Sequence, residues 1–169
     1  MIAKLVKRYE QIHNSHDVEM ALSLYSEDVR FEVVGMFVKV GKDQVRDIEE
    51  WDVETSSHMT ISNIEVQLNA ASYRLAEGND WFRLAGIELM HYEPCKIVFH
   101  EGLITEIKCE PTDESKRAMG EVWNPIMEWV SRERSDELAG LMPDGKFVYG
   151  AESARKWMNL LKEWRDTAR

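Results

Sequence analysis

The chain has 169 residues, 44% of them hydrophobic and 31% charged, so it is long enough to bury roughly 70% of its unfolded surface around one core. Its 21 Lys and Arg residues against 31 Asp and Glu residues give a net charge of −10, which argues against a nucleic acid or an anionic membrane as partner. No segment approaches the ~18 apolar residues of a membrane span, and two cysteines are too few for a disulfide scaffold. We therefore expect a cytoplasmic protein.

The N-terminal third predicts two helices, two strands and a third helix. Apolar residues recur at helical spacing on both sides of a polar break at residues 14–17. Residues 29–33 alternate with a period of two, as in a half-buried strand, and Gly35 turns the chain into a second strand at residues 37–40. Gly41 then opens a third helix, whose inner positions are Val45, Ile48 and Trp51.

Residues 59–112 predict antiparallel strands. The last two strands meet at residues 100–102, which we interpret as a three-residue loop whose glycine has a positive φ. This register gives one apolar face, on which Glu93 lies opposite Cys109. Because residues two apart on a strand share a face, we expect both His91 and Glu93 to point inward.

Residues 113–169 predict helices appended to this strand-rich part. Thr112 or Asp113 can cap the first of them. Large apolar residues, several of them tryptophan, line one side of the last helix: Ala154, Trp157, Met158, Leu161 and Trp164. Such helices must cover apolar surface, which is either the mouth of a pocket in the same subunit or the sheet of a second subunit.

The order of helix pair, strand pair, helix and long antiparallel strands resembles the nuclear-transport-factor-2-like (NTF2-like) superfamily, which includes SnoaL-like cyclases and ketosteroid isomerases. Four local marks in the right order carry this resemblance: residues 9–17, residues 24–31, Gly41 and residues 99–104. The resemblance implies an α+β fold in which a cone-shaped, strongly bent, mostly antiparallel sheet wraps around the N-terminal helices. It covers residues 1–112 as one domain, and residues 113–169 form a C-terminal helical extension packed on that domain.

Members of this superfamily are enzymes, ligand binders or dimerisation modules, so the fold does not give the function. Ketosteroid isomerases that resemble this chain use a tyrosine on the first helix, an aspartate base on the first strand and a second acid on a later strand. The tyrosine matches Tyr9, whereas the base position falls on Val33 and the second acid falls near Cys95. Because valine cannot carry a proton, we do not expect steroid isomerisation.

Three residues form the predicted catalytic group: Tyr9, His91 and Glu93. A carboxylate beside an imidazole in an apolar pocket has a perturbed pKa, which is how a site acquires an acid or a base near neutral pH. The alternative is that His91 and Glu93 lie at a solvated strand end and make structural hydrogen bonds only.

Five further residues are predicted to contact a ligand: His13, Trp51, Asp80, Trp81 and Arg83. The first of these lies one helical turn from the predicted catalytic tyrosine, and Trp81 follows a turn that can position it over the pocket. Each residue also has a plainer interpretation. His13 and Trp51 fit a packed core, and Asp80 and Arg83 fit a helix start and an ion pair.

No metal site and no cofactor are predicted, because the five histidines lack the spacing of metal ligands and no nucleotide-binding or hydrolase motif occurs. We expect a SnoaL-like protein that binds a small, largely apolar molecule, with cofactor-free isomerase, lyase or cyclase activity. The rival hypothesis is a catalytically silent dimerisation or interaction module with a filled pocket. We also expect a homodimer, since this fold usually pairs an exposed sheet face.

Overall fold

The computed structural model describes residues 1–167, in which helices and strands follow one another largely as the sequence predicts. The helices are α1 (Ile2–Ser15), α2 (Val18–Leu22), α3 (Lys42–Glu54), α4 (Asp80–Ala85), α5 (Asp113–Glu133), α6 (Ser135–Leu141) and α7 (Ala151–Thr167), with a short 3-10 helix at Pro143–Gly145. The strands are β1 (Tyr25–Val33), β2 (Phe37–Val40), β3 (His58–Gln67), β4 (Ala70–Gly78), β5 (Met90–His100) and β6 (Leu103–Pro111).

Side-chain caps fix where several helices begin. The carboxylate of Asp17 and the amide oxygen of Asn79 each accept a hydrogen bond from the backbone N–H three residues further on, at the starts of α2 and α4. The hydroxyl of Thr112 caps α5 in the same way, as predicted. Helix α2 has only five residues, and β1 begins three residues after it, at Tyr25.

The strands form one six-stranded sheet with the order β2-β1-β6-β5-β4-β3. Strands β1 and β6 run parallel, and the other neighbours run antiparallel. The register shifts once or more in four of the five strand pairs, and each such irregularity bends and twists a sheet locally. The result is the α+β class with a mixed, mostly antiparallel sheet, which confirms the predicted fold class.

One extra residue in β5 reverses the predicted orientation of His91 and Glu93. Tyr92 and Cys95 pair with residues that are only two apart on β6, so three steps on β5 match two steps on β6. This bulge puts both Tyr92 and Cys95 on the buried face and leaves His91 and Glu93 exposed. The prediction that His91 and Glu93 point inward is therefore wrong.

The turn between β5 and β6 also differs from the prediction. It has two residues, Glu101 and Gly102, both at positive φ (50° and 80°), instead of three. Together with the bulges, this shorter turn places Cys109 directly opposite Cys95 rather than opposite Glu93. Both thiols are buried and free.

The C-terminal helices share the core of the rest of the chain. Helix α7 packs against α3 and α4, and α5 contacts β5. The buried core is one continuous cluster that includes Trp157 of α7 and Ile126 of α5 beside residues of the sheet. Of the two alternatives left open by the sequence, these helices cover the interior of their own subunit. Among residues 1–167, no helix is long and apolar enough to cross a membrane.

Candidate active site

A cavity of about 690 Å³ lies between the inner face of the sheet, helices α1, α3 and α4, and the C-terminal segments. This volume falls in the range of pockets that hold small organic molecules. The residues that line it from the C-terminal part are Met119, Trp123, Met142, Gly145, Lys146, Phe147 and Tyr149. The appended segment therefore supplies one wall of the cavity.

Aromatic side chains form much of that wall. The ring of Trp51 lies 5.3 Å from the rings of both Phe147 and Tyr149, measured between centroids and edge-to-face. Trp123 lies 6.2 Å from Phe147 and 6.3 Å from Trp81. Rings at these distances attract one another beyond their simple burial, so the wall is both apolar and firmly packed.

The polar part of the cavity begins at Asp52 and His13. Asp52 is one residue beyond Trp51 on α3, and its Oδ2 lies 3.8 Å from Nδ1 of His13 on α1. This distance is too long for a direct hydrogen bond. Among residues 1–167, no donor reaches the carboxyl group of Asp52, although both residues line the cavity. A ligand in the cavity can therefore reach the carboxyl group of Asp52 without displacing a hydrogen bond from it.

A chain of hydrogen bonds continues from the other side of His13. Its Nε2 lies 3.0 Å from the hydroxyl of Ser57, which in turn donates to Oε1 of Glu77 over 3.0 Å. Glu77 also accepts from the amide of Asn79 at 3.2 Å and from the hydroxyl of Tyr92 at 3.4 Å. An acceptor that receives three donors is held in one position, so Glu77 anchors the chain.

This chain fixes which nitrogen of His13 carries the proton. Because the hydroxyl of Ser57 donates its only hydrogen to Glu77, it can only accept from His13, and Nε2 must be the protonated nitrogen. The unprotonated nitrogen of a neutral ring is then Nδ1, which faces Asp52.

Burial shifts the pKa values of His13, Asp52 and Glu77 in the direction that favours the uncharged form of each side chain. It lowers the pKa of His13 to about 4, with His16 and His58 adding to the effect. Burial raises the pKa of Asp52 well above its usual range, and the charges of Glu77 and Glu49 raise it further. Burial also raises the pKa of Glu77, although its hydrogen bonds from Ser57, Asn79 and Tyr92 act in the opposite direction.

Glu49 lies beneath this group, one helical turn before Asp52. It is buried, its Oε1 accepts the hydroxyl of Tyr25 at 2.6 Å, and burial raises its pKa to about 7. Ligand atoms of His13, Glu49 and Asp52 all lie within 4.8 Å of one another. Within residues 1–167, these three residues are the group that could hold a metal ion, and the absence of a metal that the sequence suggests stays a prediction.

Four of the eight predicted site residues line the cavity: Tyr9, His13, Trp51 and Trp81. Burial, followed by the charge of Glu49, raises the pKa of Tyr9 well above its usual range, so this hydroxyl stays protonated. The indole Nε1 of Trp81 has no hydrogen-bond partner among the described residues. The structure thus brings these four together, and their roles remain predictions.

The other four predicted residues lie outside the cavity. The carboxylate of Glu93 accepts from Nε of Arg74 at 2.6 Å on the exposed face of the sheet, and the side chain of His91 is exposed beside it. Asp80 and Arg83 pair with each other at 2.6 Å along α4. The structure therefore agrees with the alternative given above for Asp80 and Arg83, in which they form an ion pair.

Two cavity acids were missed, although the sequence carries a signal for each. Asp52 continues the inner face of α3 at the spacing set by Val45 and Ile48, since residues seven and four apart share a helix face. Glu77 follows Leu75 on β4 at the two-residue spacing of an inner strand face. Neither spacing alone predicts a cavity acid, because an acidic residue is usually exposed to solvent even at an apolar position of the pattern.

Solved structures share this fold at low sequence identity. The epoxide hydrolase/cyclase-like enzyme SalBIII, which has a role in pyran ring formation in the polyether salinomycin, matches with a TM-score of 0.60 and 15% identity over 68% of this chain and 92% of its own. A provisionally assigned ketosteroid isomerase from Kribbella flavida DSM 17836 gives a TM-score of 0.55 and 15% identity over 66% and 78%. An NTF2-like protein of unknown function from Cytophaga hutchinsonii ATCC 33406 gives 0.56 and 10% over 69% and 95%.

These similarities confirm the NTF2-like, SnoaL-like fold that the sequence suggested. They cover about two thirds of this chain but most of the other chains, so about a third of this chain has no counterpart in them. No protein-family model and no curated protein sequence matches the chain.

Proposed function

We propose that the chain binds a small, largely apolar molecule in the cavity and catalyses a proton transfer on it, with its own side chains as acid and base. The observation that carries this proposal is the carboxyl group of Asp52, which lies in an aromatic-lined cavity beside the unprotonated nitrogen of His13. Isomerisation, elimination and cyclisation all require such a group. The structural neighbours include an epoxide hydrolase/cyclase-like enzyme and a provisionally assigned isomerase, which agrees with this chemistry.

The raised pKa gives Asp52 both states that proton transfer needs. As a carboxylate in a poorly solvated site it is a stronger base than usual, and as a carboxylic acid it returns the proton. In the proposed step, Asp52 removes a proton from a carbon of the bound molecule and then releases it to another atom. His13 is held in place by Ser57, and because its pKa is lowered to about 4 it stays uncharged and does not neutralise the carboxylate of Asp52.

The rival hypothesis, a silent module with a filled interior, accounts poorly for the cavity. A cavity of about 690 Å³ remains after the C-terminal segments have packed against it. Asp52, His13 and Glu77 also line that space, and among residues 1–167 no lysine or arginine forms an ion pair with Asp52 or Glu77. An interior kept for packing alone gains nothing from buried ionisable groups, which cost stability.

The test uses 5-nitrobenzisoxazole, a neutral, flat aromatic molecule that opens to a coloured phenolate when a base removes its ring proton. We expect the protein to accelerate this reaction and Asp52→Asn to lower the rate by about tenfold or more, as for loss of a general base. The rate should rise with pH beyond the usual range of a carboxyl group, because only the ionised Asp52 is a base and its pKa is raised.

The matched control is Glu93→Gln, which removes the same charge from an exposed carboxylate. It should leave the rate within a factor of about two, since a surface ion pair contributes little. If Asp52→Asn turns over the compound as fast as the unchanged protein while both variants stay folded, the proposed function is wrong.

A further inference from the structure

Two lysines line the cavity beside its exposed lining residues, which mark its mouth: Gly35, Met36, Val38 and Gly145. Lys39 lies on β2, with its Nζ 5.6 Å from the ring centroid of Tyr149, and Lys146 lies in the segment that follows the 3-10 helix. Lys39 is half-buried and Lys146 is exposed. Within residues 1–167 no carboxylate forms an ion pair with either ammonium group, whereas many other cations of the chain are paired.

The charges that face the cavity are therefore separated along its length. The acids Asp52 and Glu77 lie among buried groups, and the two lysines lie at the mouth. The rings of Tyr149 and Trp51, 5.3 Å apart, connect Lys39 to the residue next to Asp52. A bound molecule thus meets positive charge at one end, aromatic rings along its body and a carboxyl group at the other end.

We propose that the substrate of this site is an amphipathic anion: a molecule with an apolar, ring-containing body and one terminal carboxylate, sulfonate or phosphate. This inference rests on the proposed function and names its substrate class. The anionic end stays at the mouth beside Lys39 and Lys146, because the inner part of the cavity is lined by aromatic rings and half-buried acids and offers an anion no cation among the described residues. The apolar end then enters and brings its reacting carbon to Asp52.

The net charge of −10 strengthens the inference that these two lysines serve to bind an anion. An anion approaches such a protein against its overall field, so a site that takes one needs local positive charge. Within a few ångströms of an anionic group, two ammonium groups outweigh carboxylates that are screened at longer distance. The same pair also selects the orientation in which the molecule enters.

The experiment compares two dyes with the same aromatic body. N-phenyl-1-naphthylamine is neutral, and 1-anilinonaphthalene-8-sulfonate adds a sulfonate; both fluoresce when they leave water for an apolar site. The unchanged protein should bind both dyes and bind the sulfonate more tightly. Lys39→Gln/Lys146→Gln should weaken sulfonate binding by about tenfold and leave the neutral dye within about twofold.

The matched control is Lys4→Gln/Lys162→Gln, which removes two positive charges from exposed helix positions outside the cavity lining. It should change neither affinity, and added salt should weaken only the sulfonate in the unchanged protein. Leu75→Trp, which adds bulk to the cavity wall, should weaken both dyes and so locates them there.

The outcomes separate the two proposals. If the neutral dye binds in the cavity but the lysine pair affects neither dye, or both dyes equally, the anionic substrate class is wrong and the proposed function stands. If neither dye binds, or Leu75→Trp leaves both affinities unchanged in a folded protein, the cavity does not hold apolar molecules and both proposals are wrong.

Discussion

Oδ2 of Asp52 lies 3.8 Å from Nδ1 of His13, a separation too long for a hydrogen bond. The opposite nitrogen of the same ring is held by Ser57. His13 is thus fixed from behind, whereas Asp52 has an open side toward the cavity. A carboxyl group with an oriented neighbour and a free face is the arrangement that acid–base chemistry requires.

The first prediction concerns Glu49, whose pKa burial raises to about 7. A raised pKa means that the folded protein holds the proton more tightly than the unfolded chain. The resulting stabilisation is complete below about pH 4.5 and is lost as the pH rises through about 7. Glu49→Gln stays neutral and keeps an oxygen that accepts the hydroxyl of Tyr25. The melting temperature of the variant minus that of the unchanged protein should therefore increase from pH 5 to pH 8.

Thermal unfolding followed by circular dichroism at both pH values measures this difference. Comparing each variant with the unchanged protein at the same pH also removes the opposite contribution of His13, whose pKa is lowered to about 4. Asp47→Asn, an exposed carboxylate on the same helix, is the control and should show no pH-dependent gain. A constant offset for Glu49→Gln across this range would show that Glu49 is already ionised at pH 5.

The second prediction is that metal ions do not stabilise the protein, although His13, Glu49 and Asp52 approach one another closely. Glu49 already accepts the hydroxyl of Tyr25, and a raised pKa means that a proton neutralises each carboxylate. Dialysis against EDTA, or addition of Zn²⁺ or Mg²⁺ to about 1 mM, should leave the melting temperature unchanged. A rise of several degrees that His13→Gln abolishes would contradict this prediction.

The element order could be predicted from the sequence because periodicity and turn residues report local structure directly. Gly41 at the start of α3 and Thr112 as the cap of α5 are examples. The register of β5 and β6 could not, because one extra residue at Glu93 reverses every side chain beyond it. The one local signal is Pro94, which lies between Tyr92 and Cys95, because proline inside a strand that is paired on both sides is found at bulges; it marks the place but not the resulting register.

The candidate site was half predictable for a related reason. Tyr9, His13, Trp51 and Trp81 lie on periodic apolar faces, so their inward orientation follows from the sequence. The partner of each polar group does not. Ser57, in the loop before β3, contacts His13 from 44 positions away, and Glu77, on β4, contacts Ser57 from 20 positions away. Only the assembled fold brings them together.

The third prediction is that the chain forms a homodimer through the outer face of its sheet. Alternate residues of β4, β5 and β6 on that face, such as Arg74, Lys96 and Lys108, are exposed, so no described helix covers them. The exposed apolar residue Leu103, paired with exposed His100, accompanies them. Sedimentation at micromolar concentration should show twice the chain mass of 19.7 kDa. A single species of 19.7 kDa would contradict it.

The last prediction concerns Trp157, which joins the C-terminal part to the rest of the core. It is fully buried on α7, and its ring stacks on Phe147 at 5.4 Å and lies 5.8 Å from Trp123 and 6.5 Å from Trp81. Trp157→Ala should lower the free energy of unfolding by about 3–5 kcal/mol, because the cavity that it leaves cannot be refilled by such large rings. Trp164→Ala, at a half-buried position of the same helix, should cost less.

Trp157 does not line the ligand cavity, but Phe147, Trp123 and Trp81 do, and each of them rests against it. Trp157→Ala should therefore also weaken binding of N-phenyl-1-naphthylamine at a temperature where the variant is still folded. Urea unfolding should remain a single transition by tryptophan fluorescence and by circular dichroism, because one continuous core cannot lose its C-terminal part alone. Two separate transitions, with dye affinity unchanged, would show instead that the C-terminal helices are an independent unit and that the cavity keeps its wall without them.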